Sequence, residues 1–272
     1  MGFAKAVTSM ADPLITLTTD FGSGSHYVAA AKGVILALNP EVRIVDLSHD
    51  IPAQDLRQAA FFLVSALPYF PPETLHVVVV DPGVGGERSI LYVELANLRL
   101  LVPDNGCWTW LIEGGRRRPR VVRLTERRFW RSRISDTFHG RDIFAPVAAN
   151  LSLGLDPREL GPLVGDWVRL DRPTPHHDAK GIRGEVLYVD SFGNLITNIP
   201  GEALSLDDRP KRVRVDGIEV PRIVRTYSEA EPGTLVALVS SVEWLEVAVA
   251  QGDAARLLNA RVGTPVTIEW QT

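Results

Sequence analysis

The residues best placed to do chemistry lie in the run Leu75 to Arg88, LHVVVVDPGVGGER. Four consecutive valines read as a strand buried on both faces, and the strand ends in an aspartate, a proline and three glycines. In open α/β sheets ligands bind beyond the carboxyl ends of strands, so Asp81 stands where a working carboxylate would stand. The glycines at 83, 85 and 86 let backbone approach a ligand closely, and Arg88 can fold back towards Asp81. The plainer alternative is a strand-end aspartate capping a turn, with a solvated arginine beyond it. Asp20 is a second strand-end carboxylate, placed to accept hydrogen bonds from two neighbouring hydroxyls, as α/β proteins hold a ribose; its alternative is a helix N-cap. His139, in SDTFHGRD, stands just before a helix start, as a placed histidine or a structural hydrogen-bonder. The loop Asp190-Ser191-Phe192-Gly193-Asn194 offers an aromatic face beside an amide, the two things needed to stack on and hydrogen-bond an adenine ring.

The elements that must position these residues follow from periodicity. LITLTT at 14–19 is β-rich and stops at Asp20; the loop FGSGS then turns into the helical pattern HYVAAAKGVILAL, closed by Asn39-Pro40. The loop's Gly-x-Gly lacks the third glycine of a dinucleotide fingerprint. RIVDL at 43–47 repeats the strand pattern and SHDIPAQ precedes the helical run DLRQAAFFLVSAL. Three β–loop–α–β steps predict a parallel sheet with right-handed crossovers, gathering Asp20, His49, Asp50 and Asp81 at one edge. A hairpin turning at Ala96-Asn97, a short helix with Trp108 and Trp110, a strand at 120–124 and a helix over IFAPVAANLSLG complete an α/β domain at 1–172. Residues 173–181, with two prolines, read as a linker. From 182 to 272 short β-prone runs predict a smaller antiparallel, barrel-like domain with one short helix near DAARLLNA.

Composition bounds the function. The 272 residues, 45% hydrophobic and 23% charged, suit two packed domains, and the net charge of −4 argues against a nucleic-acid binder. The arginines at 116–118, 127 and 128 read as solvated loop charges. A lone Cys107 excludes an internal disulfide and a multi-cysteine metal site and fits a reducing compartment. MGFAKAVTSMADP has no apolar core of signal-peptide length and nowhere do about 18 apolar residues run together, so a cytoplasmic protein free of membrane is expected.

Taken as a set, TTDFG at 18–22, HDIPAQD at 49–55, DPGVG followed by Arg88, TFHGRDIF at 137–144, DSFGN at 190–194 and SSVEWLEVAVAQG at 240–252 resemble one family, over about residues 14 to 270 and in the right order. It is the adenosine-forming S-adenosylmethionine hydrolases, or hydroxide adenosyltransferases, relatives of the fluorinating and chlorinating enzymes. The resemblance implies attack of water or hydroxide at the ribose C5′ of S-adenosylmethionine, releasing adenosine and L-methionine, with no cofactor and no metal. It implies a catalytic set Asp81, Arg88 and His139, ribose contact at Asp20, and adenine contacts at Phe192 and Asn194 with Tyr227 as a second face. Methionine-end contacts fall on Asp190 and Ser241, and Tyr27 joins the substrate-binding set. It also implies a homotrimer with sites between the first domain of one subunit and the second domain of its neighbour. Two positions depart from the relatives: Ser25 where an acidic residue often stands, and Val242 where the fluorinating enzyme has arginine.

The chemistry suits these residue types. A sulfonium leaves as a neutral thioether and needs no general acid; the difficulty is the nucleophile. Water has a pKa of about 15.7, so free hydroxide at pH 7 costs about 12 kcal/mol. Asp81 and His139 are expected to orient the water and accept its proton, while Arg88 stabilises developing hydroxide and holds Asp81 ionised. A halogenating relative would gain nothing from a base and would be repelled by its carboxylate. A metal-dependent hydrolase using Asp46, His49, Asp50, Asp81 and His139, and a non-catalytic adenosine or S-adenosylmethionine sensor, are the remaining alternatives.

Overall fold

The computed structural model describes residues 13–112, 118–204 and 211–270, in two compact units divided between Leu170 and Asp171. Residues 1–12 of the N-terminal segment, and Arg116 and Arg117, lie outside the described residues. No helix among the described residues is long and apolar enough to cross a membrane.

The first unit is built on a seven-stranded sheet. Its parallel half comprises β1 (Leu14–Thr19), β2 (Arg43–Ser48), β3 (Leu75–Val79) and β5 (Leu98–Pro103), in the order β2-β1-β3-β5. The antiparallel half adds β4 (Ile90–Leu95), β6 (Arg120–Arg123) and β7 (Leu163–Val164). Helix α1 (His26–Leu38) links β1 to β2 and helix α2 (Leu56–Ala66) links β2 to β3. There are therefore two β–α–β crossovers rather than three steps, and the fourth parallel strand comes from the hairpin β4–β5. That hairpin turns at Ala96, whose φ of 53° closes the tight reversal. The short helix expected around Trp108 and Trp110 is a 3-10 turn, Thr109–Ile112, with Trp108 just before it.

Burial on both faces explains the valine run. Leu75, Val77 and Val79 pack with Ala31 and Ile35 of α1 and with Val147, Ala148 and Leu151 of α3 (Ala145–Ser152). Val78 and Val80 pack on the opposite face with Ala59 and Leu63 of α2. A strand covered on both sides has no polar face to present, so every position from 75 to 80 is buried. The one polar member, His76, donates or accepts through Nδ1 at 2.8 Å from Thr16 Oγ1, and burial pushes its pKa down to about 4.

The second unit is a nine-stranded, nearly closed barrel-like sheet. Its path runs β12 (Ile218–Val220), β11 (Lys211–Val215), β16 (Pro265–Trp270), β9 (Gly181–Val189), β10 (Leu195–Pro200), β15 (Trp244–Val249), β14 (Leu235–Val239) and β13 (Arg222–Ile223). One core joins Val213, Val215 and Ile268 from one end of this path to Leu235, Ala237 and Val247 from the other, so the sheet curls on itself. Most pairings are antiparallel, the β13–β14 pair being parallel. Residues 176–178, within the segment expected as linker, instead form β8, paired antiparallel with β9. A short helix α4 (Ala254–Leu258) follows β15.

Candidate active site

In the first unit the register of the central strands sets the site. Thr19 pairs with Val79 and Thr18 with Ser48, so Asp20, His49 and Asp81 emerge at the same, carboxyl end of the parallel strands. The chain leaves β1 for β2 on one side and returns to β3 on the other, so Asp20 and Asp81 border the switch point where the connections diverge.

Asp81 and Arg88 form a forked pair. Arg88 Nε donates to Asp81 Oδ1 at 3.0 Å and to Oδ2 at 2.8 Å, and Nη2 donates to Oδ2 as well. Nη2 also meets His139 Nδ1 at 2.9 Å. The Asp81 and Arg88 side chains are only 4% and 11% exposed, so the solvated-arginine alternative is excluded. A guanidinium donates and cannot accept, so Nδ1 of His139 must be the acceptor and the ring proton sits on Nε2. Burial, reinforced by the Arg88 charge, holds the His139 imidazole below its usual pKa, against the opposing pull of Asp81, Asp136 and Asp142. The imidazole is therefore neutral at pH 7, with an N–H to offer.

Loop chemistry creates this meeting. Gly85 has a φ of 77°, and a Cβ there would lie 2.1 Å from the Asp136 carbonyl oxygen, so only glycine lets the 82–88 loop touch the loop carrying His139. The second loop is held by Asp142, fully buried, whose carboxylate takes Arg131 Nη1 at 2.9 Å, Arg141 Nε at 2.7 Å and the Ser135 backbone N–H at 2.9 Å. These donors keep its pKa at about 2 despite burial. Residues Gly140–Phe144 form a single π-helical turn before α3, a widening common at functional sites.

Asp20 is not a helix cap: Ser25 fills that role, accepting from the Tyr27 N–H. Asp20 Oδ2 accepts from the Gln54 backbone N–H at 2.8 Å, Gln54 being at a φ of 64°. His49, Thr19 and Asp46 form a neighbouring chain, with Thr19 Oγ1 2.9 Å from His49 Nδ1 and His49 Nε2 3.0 Å from Asp46 Oδ1. Asp50 accepts from the Ser23 backbone at 2.8 Å and from its hydroxyl, pinning the loop after Asp20. Tyr27 sits edge-on to Phe138, ring centroids 4.8 Å apart, with Phe21 at 5.7 Å from Tyr27. Gly140 admits the Phe21 ring, whose Cζ would be 3.1 Å from a Cβ. The sequence reading passed over Phe21 and Phe138, whose only signal was their place beside Asp20 and His139.

The second unit contains an open cavity of about 1270 Å³ lined by Asp190, Phe192, Asn194, Tyr227 and Ser241, among others. It thus brings together every binding residue expected from this half of the chain. Asp190 Oδ1 accepts from the backbone N–H groups of Phe192 (2.9 Å) and Asn194 (2.8 Å), and Oδ2 from Asn194 Nδ2 (3.0 Å). Asp190 thereby shapes the turn, leaving Phe192 74% exposed with its face free to stack. Gly193, at a φ of 82°, lies where a Cβ would strike the Asp253 carboxylate, and its carbonyl accepts from Ala255, so the turn is docked on the start of α4. Among the lining residues that the sequence reading did not single out is Glu246, which accepts from the Tyr227 hydroxyl at 2.5 Å. Its signal was an acidic residue within the apolar run WLEVAVA.

Among the described residues no group of three His, Cys, Asp or Glu side chains is arranged to hold a metal ion. Cys107 is fully buried and its thiol is pushed up to about 12 by burial, consistent with a packing role.

Residues 15–161 match the SAM hydroxide adenosyltransferase N-terminal domain and residues 184–267 the corresponding C-terminal domain. The chain is 40% identical over 258 residues to a protein of Salinispora tropica named (R)-S-adenosyl-L-methionine hydrolase, covering 92% of this chain and 95% of that one. A protein of the same name from Thermus thermophilus is 40% identical over 257 residues, covering 92% and 97%. A fluorinase of Actinoplanes sp. is more distant, at 26% identity over 94% of this chain and 97% of that one. Among solved structures, an uncharacterized conserved protein of Thermotoga maritima matches with a TM-score of 0.87 at 35% identity, covering 94% of this chain and 99% of that one.

Proposed function

Because the chain belongs to the SAM hydroxide adenosyltransferase family, we propose that it hydrolyses S-adenosyl-L-methionine to adenosine and L-methionine, acting on the (R)-sulfonium epimer for which its relatives are named. The observation that carries this reading is the Arg88 bridge, which joins Asp81 and His139 at the carboxyl ends of the parallel strands. In this proposal water attacks C5′; the new O–C5′ bond forms as the C5′–S bond breaks, and its electron pair leaves on neutral sulfur.

The hydrogen-bond pattern divides the labour. Nδ1 of His139 is occupied by Arg88, so the imidazole holds the water by donating from Nε2 rather than taking its proton. Asp81 retains lone pairs beyond those used by Arg88 and takes the proton as attack proceeds, passing it later to solvent. Arg88, forked onto Asp81, stabilises the hydroxide-like oxygen. Union of that oxygen with a sulfonium annihilates charge, so a water-poor pocket favours the transition state. Asp20, with Tyr27 nearby, receives the ribose; Phe192, Asn194 and Tyr227 receive the adenine; Asp190 and Ser241 border the methionine end. No cofactor is required by this scheme. A cytoplasmic homotrimer, its sites completed between neighbouring subunits, belongs to the same proposal, resting on composition and on the resemblance; light scattering of the purified protein tests the assembly.

The decisive experiment is turnover of S-adenosylmethionine in ¹⁸O-labelled water. Label in the 5′-hydroxyl of adenosine is expected. Absence of adenosine, or adenosine whose 5′-oxygen is unlabelled in a single turnover, as attack by an enzyme carboxylate would leave it, refutes the proposal. Added chloride or fluoride should give no 5′-halo-5′-deoxyadenosine, because the Asp81 carboxylate repels an anionic nucleophile.

A further inference from the structure

The departure at Val242 leaves open which group receives the charged amino-acid end of the substrate. Asp190 is poorly suited to the whole task, because both its oxygens already accept from the turn it shapes. Of the two other carboxylates lining the cavity, Asp253 caps α4, accepting from the Arg256 backbone N–H, and Glu246 has a different set of obligations. Glu246 lies in β15 between Ile196 of β10 and Leu238 of β14, in the interior of three paired strands. It is 4% exposed, yet it lines the cavity. Oε1 accepts from the Tyr227 hydroxyl, and Oε2 has no hydrogen-bond partner among the described residues. A carboxylate taken largely out of water, with one oxygen open to the cavity, gains from a donor that a ligand supplies.

We propose that Glu246 is a specificity-determining residue of the hydrolase, its free oxygen receiving the α-ammonium group of the substrate's methionine part. The inference rests on the functional reading above. Two cations are available on that substrate, and the chemistry selects between them. An ammonium has N–H groups to donate to a carboxylate; a sulfonium has none. A carboxylate against the sulfonium would also stabilise the ground state more than the transition state, in which that charge disappears, and so would slow the reaction. An ammonium keeps its charge throughout, so a carboxylate there strengthens binding without opposing catalysis. Burial, with Asp190 adding its negative charge, disfavours ionisation of Glu246 in the empty cavity, and this unfavourable state is relieved when a cation enters.

Glu246 also orients the Tyr227 ring through the hydroxyl contact, so the test must separate charge recognition from ring placement. Calorimetric titration uses three ligands that undergo no sulfonium displacement: S-adenosyl-L-homocysteine, its counterpart lacking the α-amine, and adenosine. The wild-type protein is expected to prefer the amine-bearing ligand by about tenfold or more. Glu246→Gln, close in size, is expected to abolish that preference while adenosine affinity stays within about twofold; Glu246→Asp retains part of it, and Tyr227→Phe retains all of it. Steady-state turnover of S-adenosylmethionine by Glu246→Gln should show KM raised about tenfold with kcat within about threefold. An undiminished preference in Glu246→Gln overturns the assignment, as does a parallel loss of adenosine binding, which would mark Glu246 as a support for Tyr227 alone. Wild-type release of adenosine is measured alongside: its absence refutes the functional reading itself, whereas its presence with an unaltered Glu246→Gln variant refutes this inference alone.

Discussion

Replacing Arg88 with methionine tests the bridge on which the proposed mechanism turns. Methionine preserves much of the aliphatic stem and removes every contact of the guanidinium: those to both Asp81 oxygens and the one to His139 Nδ1. Counting each partner as one charge-assisted interaction of about 1.5–2 kcal/mol gives about 3–4 kcal/mol of lost positioning and electrostatic stabilisation. Expressed in the transition state, that is a fall in kcat of about two to three powers of ten. The pH profile should move as well. In the wild type, burial first and Arg88 second hold the His139 pKa below its usual value, so activity is lost only on acidification below about pH 6.5, as protonation of Nδ1 breaks the Arg88 contact. Without Arg88 the repulsion disappears while Asp81, Asp136 and Asp142 still favour the imidazolium, so the acid limb shifts upward. Arg88→Lys restores charge but not the two-partner fork, and recovers only part of the rate. Adenosine release, followed chromatographically from pH 5 to 8, provides both readouts. An Arg88→Met enzyme within about tenfold of wild-type kcat, with an unmoved acid limb, would falsify the bridge argument.

Asp142→Ala should lower stability by about 2 kcal/mol in urea titration and reduce kcat, because four N–H donors, on Arg131, Arg141 and Ser135, lose their acceptor and the loop carrying His139 loosens; the partly exposed arginines, which recover water, keep the cost at that level. Gly85→Ala should destabilise by at least about 1 kcal/mol, from the positive φ alone, and should depress kcat through displacement of the Asp136 carbonyl; thermal melting and turnover check both. His76 is depressed from about 6.5 to about 4, so its contribution to stability is intact above the unfolded pKa and is lost as pH falls from about 6.5 to 4, by about 3 kcal/mol in all. His76→Gln should flatten that part of the stability profile relative to wild type, as read by denaturant titrations at each pH. Turnover by the wild-type enzyme should be unchanged by EDTA, since in the proposed chemistry His139 holds the attacking water and Asp81 takes its proton.

Much of this protein was readable before any coordinates. The valine run could only be a strand covered on both faces, and the structure covers it with α1 and α3 on one side and α2 on the other. The positions of Asp20 and Asp81 followed, because a parallel strand must end where its loop begins, and parallel neighbours end on the same side. The DSFGN turn was legible for a similar local reason: Asp, Gly and Asn at those positions satisfy their own backbone, which frees Phe192. Other features were beyond local pattern. The number of crossovers was overcounted, since a hairpin strand supplies the fourth parallel member and periodicity does not report partners. Part of the expected linker pairs with β9, because exposed residues such as His176 and His177 show no strand alternation and are held by backbone bonds alone. The sequence by itself determined the inventory of reactive side chains and the strand ends that carry most of them. Tertiary structure decided what each can do: Gly85 meeting Asp136 brings Arg88 to Nδ1 of His139 and so selects its tautomer, and strand register takes Glu246 out of water in an apolar sheet while opening one oxygen to a cavity. Hydrogen-bond direction and burial are relations between residues far apart in the chain, and only folding fixes them.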